Sequence, residues 1–170
     1  MMKQIKLKSK TGFTLIELMV TVVIIGIVSA MAAPSMERSI QQFKFKSSTK
    51  EMLSTLRKAR SNAIAEKNPY GVYFNYETQE IIAFRDDANP SSFTYDDGAD
   101  SVISVDTVLG DYSYLWASFT NSAVVFQPNG TAHESGYIYM YSEKDGSFNS
   151  SGSNVLASTG RSKILYLNSY

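Results

Sequence analysis

Residues 10–34 read KTGFTLIELMVTVVIIGIVSAMAAP, and no other stretch constrains the chain as tightly. From Phe13 to Ala33 every residue except Glu17 is apolar, small or hydroxyl-bearing, a run of 21 residues. As a helix rising about 1.5 Å per residue this run reaches about 31 Å, close to the thickness of a bilayer's hydrocarbon core. A carboxylate at that depth costs on the order of 2.5–3.5 kcal/mol to insert, so it calls for a partner and a function. No Lys, Arg or His lies between Phe13 and Pro34, so the partner is not local.

Charge placement orients the run. The chain of 170 residues is formally neutral, but residues 1–12 carry Lys3, Lys6, Lys8 and Lys10 with no acid. The positive-inside rule keeps that end cytoplasmic and sends the rest across the membrane. Beyond it, residues 36–67 hold eight basic residues against Glu37, Glu51 and Glu66, whereas residues 70–170 hold four basic against twelve acidic, giving +5 and −8. A competing reading is an ordinary secretory signal cut at the A-x-A of Ala30 to Ala32. The length of the run and the acid five residues into it argue against that. With no cysteine, neither a disulfide framework nor a thiolate site is available.

After Pro34 the pattern turns amphipathic. Met36, Ile40 and Phe43, then Met52, Leu53, Leu56, Ala59, Ala63 and Ile64 recur at steps of three and four, with most lysines and arginines off that stripe. Asn68 and Pro69 supply a stop, while Pro34 is expected to bend the helix without ending it. From Tyr70 onward, short β-type runs alternate with turn residues: 71–76, 80–85, 101–105, 112–119, 122–127, 136–142 and 162–167. The separators expected are 86–90, 96–98, 128–130, 145–146 and the Ser/Asn/Gly tract 147–154. The pattern predicts an α+β fold: a long N-terminal helix packed on a C-terminal antiparallel sheet domain. The expected boundaries are a leader 1–12, a transmembrane helix 13–34, an amphipathic helix 35–68 and a sheet domain 70–170.

The stretch K-T-G-F-T-L-I-E-L at 10–18 resembles the signal of type IV pilins and type II secretion pseudopilins. STLRKARSNAIAEKNPYGVYF (54–74), VVFQPNGTA (124–132) and STGR (158–161) resemble the minor subunits of that family called GspH, FimU and FimT. The resemblance implies a pilin-like fold, cleavage by prepilin peptidase between Gly12 and Phe13, and methylation of the new amine of Phe13. It implies that Glu17 pairs with the cationic N-terminus of a neighbouring subunit during assembly, and that the helix loosens at Gly26 and Pro34. Expected partners are other pilin or pseudopilin subunits, the peptidase and an inner-membrane assembly platform. The expected location is the bacterial inner membrane, crossed once with the head in the periplasm, and then a pilus or secretion pseudopilus. No cofactor, metal or catalytic activity is implied.

An alternative function is DNA uptake. Some FimT proteins use a C-terminal G-R-x-R motif, and this chain reads Gly160, Arg161, Ser162, Lys163, a partial match in which Lys replaces the fork of Arg by a point charge. The acidic head opposes nucleic acid. Tyr137, Tyr139 and Tyr141 alternate on one strand face and can stack bases, or pack across strands or against a neighbour. Trp116 with Tyr112, Tyr114 and Phe119 reads as core or interface. Asp96, Asp97 and Asp100 lack EF-hand spacing and read as a solvated loop. His133, the one histidine, reads as a solvated turn residue. The basic face from Lys44 to Lys67 is complementary to the acidic heads of adjacent subunits, or to lipid headgroups or nucleic acid.

Overall fold

The computed structural model describes residues 12–107, 113–144 and 147–169. The leader up to residue 11, Tyr112, the turn at 145–146 and the side chains of 32–35, with Pro34 among them, lie outside the described residues. The chain divides into two units, Met1–Ser39 and Ile40–Tyr170.

The first unit is the start of helix α1, Leu15–Glu66, which does not end at Pro34. Its large apolar side chains from Leu15 to Met31 are 49–77% exposed. Among the described residues no single helix is long and apolar enough to cross a membrane. The pieces Leu15–Met31 and Met36–Glu66 meet that requirement together, by length and composition.

In the second unit α1 supplies Phe45, Thr49, Met52, Leu56, Ala59 and Ala63 to the core. These recur at steps of four, three, four, three and four, one stripe along the helix. The stripe differs from the expected one at its start: Ile40 and Phe43 are exposed, and Phe45 takes the inward place. Lys67, with φ 58°, ends the helix before Pro69.

Among the described residues eight strands follow: β1 Tyr70–Asn75, β2 Glu80–Arg85, β3 Ser101–Thr107, β4 Ser113–Ala117, β5 Ala123–Phe126, β6 Gly136–Lys144, β7 Ser147–Leu156 and β8 Arg161–Ser169. They form two antiparallel sheets, ordered β3-β2-β1-β5 and β4-β6-β7-β8, within the antiparallel sheet domain that the sequence predicts. The sheets are stitched by side chains. The Tyr76 hydroxyl donates to Ala117 O at 2.8 Å and accepts from Ala117 N at 3.3 Å, and Gln79 Oε1 accepts from Leu115 N at 2.7 Å. These bonds occupy backbone groups that β4 would otherwise present as an open edge.

Strand β7 corrects the expectation that 147–154 is a turn tract. Small polar residues suit it because it is paired on both sides and alternates in direction. Asn149, Ser151, Ser153 and Val155 are buried inward, and Thr49 on α1 hydrogen-bonds Ser151 Oγ at 3.2 Å. On the outer side the ring of Tyr166 lies where a Cβ at Gly152 would stand, so only glycine fits there.

The two sheets differ in cover. β1, β2 and β5 are almost entirely buried, because Tyr95 from the loop between β2 and β3 stacks on Tyr73 and tilts against Phe84, each at 5.1 Å. The second sheet faces the core with Leu115, Ala117, Ile138, Met140 and Val155 and leaves its other face bare.

Candidate functional site

Three places carry functional chemistry, and the first is the start of α1. Thr14 precedes the helix, and its Oγ1 accepts from the Glu17 backbone N at 3.3 Å while lying 3.5 Å from Glu17 Oε2. Thr14 is thus an N-cap whose hydroxyl satisfies one donor that the first turn leaves open, and Glu17 lies within reach of that same hydroxyl. Thr14-x-x-Glu17 is the sequence signal for this cap, and Thr14 is not among the site residues expected from the sequence. Glu17 is exposed in the first turn, and Gly12 and Phe13, which precede the helix, are exposed as well. A Cβ at Gly12 or Gly26 would meet nothing within 4 Å. Pro34 lies within α1, some 20 residues from this group by chain position.

The second place is the bare outer face of the second sheet. Cross-strand pairing puts Tyr114 opposite Tyr141 and Trp116 opposite Tyr139. Their rings stack at 4.6 and 5.5 Å, and Tyr139 and Tyr141 extend the series to Tyr137 and Phe148 at 6.4 Å each. Trp116 is 52% exposed, so it belongs to a surface rather than the core, whereas Phe119 is buried. The row Tyr137, Asn154, Lys163 crosses β6, β7 and β8, placing Lys163 on the aromatic face. Arg161, opposite Leu156, opens β8 and is exposed.

The third place is a junction that draws together the three family-like segments of the head. Arg60 Nε donates to the Gly130 carbonyl at 2.8 Å. Gly130 closes the turn after β5, with its N donating to Gln127 O at 2.8 Å and φ at 84°. Gly160, φ 60°, sits against both: a Cβ there would strike the Gly130 oxygen and come within 2.8 Å of Arg60 Nε. Glycine is required twice over, by the left-handed backbone and by the close approach. A pocket of about 270 Å³ beside it is lined by Arg57, Arg60, Gly160, Arg161 and Ser162.

Two expected surface groups lie inside. His133 is only 9% exposed in its side chain; its Nδ1 accepts from Val125 N at 3.0 Å, its ring stacks on Phe93 at 5.0 Å, and Nε2 meets Glu134 at 3.1 Å. It pins a turn to β5. Asp100 is likewise buried, accepting from Asp87 N, Ala88 N and Asp96 N at 2.8–3.1 Å, which braces the loop with its carboxylate in place of a metal. Asp86 beside it is 2% exposed, and the Asn89 backbone is the hydrogen-bonding group that favours its charged form. Burial, and then the charge of Asp100, push its pKa up to about 6.

The prokaryotic N-terminal methylation motif matches residues 7–33, and the type II transport protein GspH matches residues 48–163. Among solved structures, the chain is similar to the minor pseudopilin EpsH from the type 2 secretion system of Vibrio cholerae. Identity is 13% over 72% of this chain and 96% of that one, with a TM-score of 0.54. It is also similar to the type IV minor pilin FimU of Pseudomonas aeruginosa, at 12% identity over 74% and 91% of the two chains, with a TM-score of 0.55. At such identities the likeness is one of fold.

Proposed function

The chain belongs to the GspH family of minor pseudopilins and pilins, and from that premise we propose that it acts by assembly, as a subunit whose N-terminal helix is cut, methylated and built into a filament. The family is structural rather than enzymatic, and its members assemble with other pilin subunits. In this reading prepilin peptidase cuts between Gly12 and Phe13, the new Phe13 amine is methylated, and the head stays on the periplasmic side of the inner membrane until an assembly platform draws the subunit out.

The observation that carries the reading is the unburied helix from Leu15 to Met31, apolar on all sides with Glu17 in its first turn. A helix apolar all round requires lipid or other helices. In lipid Glu17 is costly; the terminal amine of a neighbouring Phe13 offsets that cost, so burial of the acid favours docking of a second subunit. Gly26, which weakens a helix interior, and Pro34, which removes one backbone donor, would let the helix adapt within the filament. The test is the intact mass of the chain recovered from cells that carry the peptidase. A terminus at Phe13 with one added methyl is expected. A terminus near Pro34, as an ordinary secretory signal would leave, overturns the reading.

The aromatic face favours a second reading. Tyr137, Tyr139 and Trp116 lie on the same face as Lys163, and stacked rings with a cation at their border suit single-stranded nucleic acid. The acidic head weighs against it. Binding of an oligothymidylate to the full chain in detergent at moderate salt, lost in Tyr137→Ala and in Arg161→Ala with Lys163→Ala, would support a DNA receptor. Absence of binding by the unmutated chain would remove it.

A further inference from the structure

We propose that the pocket between the second half of α1 and the start of β8 is an oxyanion site that receives a carboxylate side chain of an adjacent subunit. Three arginines, Arg57, Arg60 and Arg161, contribute to the lining of one pocket of about 270 Å³. Among the described residues none of the three has a carboxylate within ion-pair distance. Like charges that share a pocket's lining without a counter-ion favour an anion there, because it relieves their mutual repulsion. Arg60 is held in place because its Nε is committed to the Gly130 carbonyl, which leaves its two terminal nitrogens as donors.

A second, independent observation concerns a residue of the same lining. Ser162 lines it, is 5% exposed, and its Oγ has no hydrogen-bond partner. Buried hydroxyls are nearly always satisfied, and one that is not calls for a missing partner. An acceptor oxygen resting between Ser162 Oγ and the guanidinium forks satisfies the hydroxyl and the charges together.

The pocket has room for one carboxylate and its stem, not for a run of nucleotides. A second copy of this chain carries the matching charge, with twelve acidic residues against four basic in 70–170. The proposal rests on the assembly reading for its source of carboxylate, but the site itself is testable without a filament.

The experiment measures fluorescence anisotropy of labelled hexaglutamate, and separately of labelled oligothymidylate, with the full chain in detergent at about 0.15 M salt. Hexaglutamate is expected to bind, to weaken about tenfold or more in Arg57→Gln and in Arg161→Gln, and to weaken in Ser162→Ala with the melting temperature unchanged or raised. That last combination separates a ligand contact from a structural one, because removing an unpartnered hydroxyl does not harm the free fold. No binding of hexaglutamate, or binding indifferent to all three substitutions, overturns the site. Tighter binding of oligothymidylate through the same residues overturns the carboxylate source and assigns the pocket to phosphate. If the mature mass still begins at methylated Phe13 while hexaglutamate fails to bind, this site falls and the assembly reading stands.

Discussion

The two ends of α1 are made of similar residues and have opposite fates. From Leu15 to Met31 the helix carries apolar side chains on every face, and they stay exposed. From Phe45 to Ala63 it carries one stripe, and that stripe is wholly buried against two sheets. An apolar surface that is buried inside its own chain stabilises a fold. One that is not is stabilised only by lipid or by other chains. The same helix therefore serves folding at one end and, in the assembly reading, association at the other.

The sharpest way to break that contrast is Glu17→Val. It removes the acid and lengthens the apolar run, so the subunit is expected to remain in the membrane, correctly cleaved, and to be absent from sheared filaments. Incorporation at wild-type level, scored by immunoblot, would show that the carboxylate has no part in docking.

Next in size is a matched pair of truncations. Leu56 is fully buried, and Leu56→Ala is expected to cost the head about 2–5 kcal/mol. Ile24 is 54% exposed, and Ile24→Ala is expected to leave head stability within about 0.5 kcal/mol. Urea unfolding of the full chain in detergent, followed by tryptophan emission from Trp116, measures both. Equal losses would mean that the first half of α1 also supports the head.

The head also holds a buried carboxylate with a pH signature. The pKa of Asp86 is raised from 3.8 to about 6, chiefly by burial. A group that binds its proton more tightly in the folded state contributes stability that is complete below its unfolded pKa and declines as pH rises through the folded one. Head stability should therefore fall between about pH 4 and pH 6 and then level off, by up to about 3 kcal/mol. Asp86→Asn should remove that slope and be the more stable protein at pH 7. Asp87, whose pKa Arg85 and Ser101 hold down, titrates in the opposite sense, but it does so in both proteins and cancels in the difference. Parallel stability curves for the two proteins would refute the assignment.

Much of this was legible in residue order. The apolar run, the stop at Asn68–Pro69 and most strands follow from periodicity and turn chemistry, since a helix buried on one face and strands buried on alternate residues leave plain patterns. What escaped was apolar pattern carried by polar residues. Thr49 sits in the middle of the core stripe, so the sequence pointed to Phe43 where the structure uses Phe45. Strand β7 reads SFNSSGSNVL, a loop by composition, yet it is the best-paired strand of its sheet. His133 and Asp100 were missed for a related reason, because polar side chains that hydrogen-bond backbone are buried by contacts distant in sequence. The arginine junction was legible only in pieces: its three segments were each noticed, but nothing in their spacing said that Arg60, Gly130 and Gly160 meet.

The smallest effect tests the contrast at the level of one hydroxyl. Thr21 and Thr49 both bond back to their own helix, Thr21 Oγ1 to Leu18 O at 2.8 Å and Thr49 Oγ1 to Phe45 O at 3.1 Å. Only Thr49 has a further partner, the buried Ser151 Oγ of β7. Thr49→Val should cost about 1 kcal/mol, mostly because it leaves the Ser151 hydroxyl buried and unpaired. Ser151→Ala added to it should recover much of that loss, since removing both partners leaves nothing unsatisfied. Thr21→Val, where no group from another element is involved, should leave the head's unfolding midpoint unchanged. If the two valine variants behave alike, the hydroxyl contact between α1 and β7 carries no weight, and the buried serines of β7 must be explained by the fit of the sheet alone.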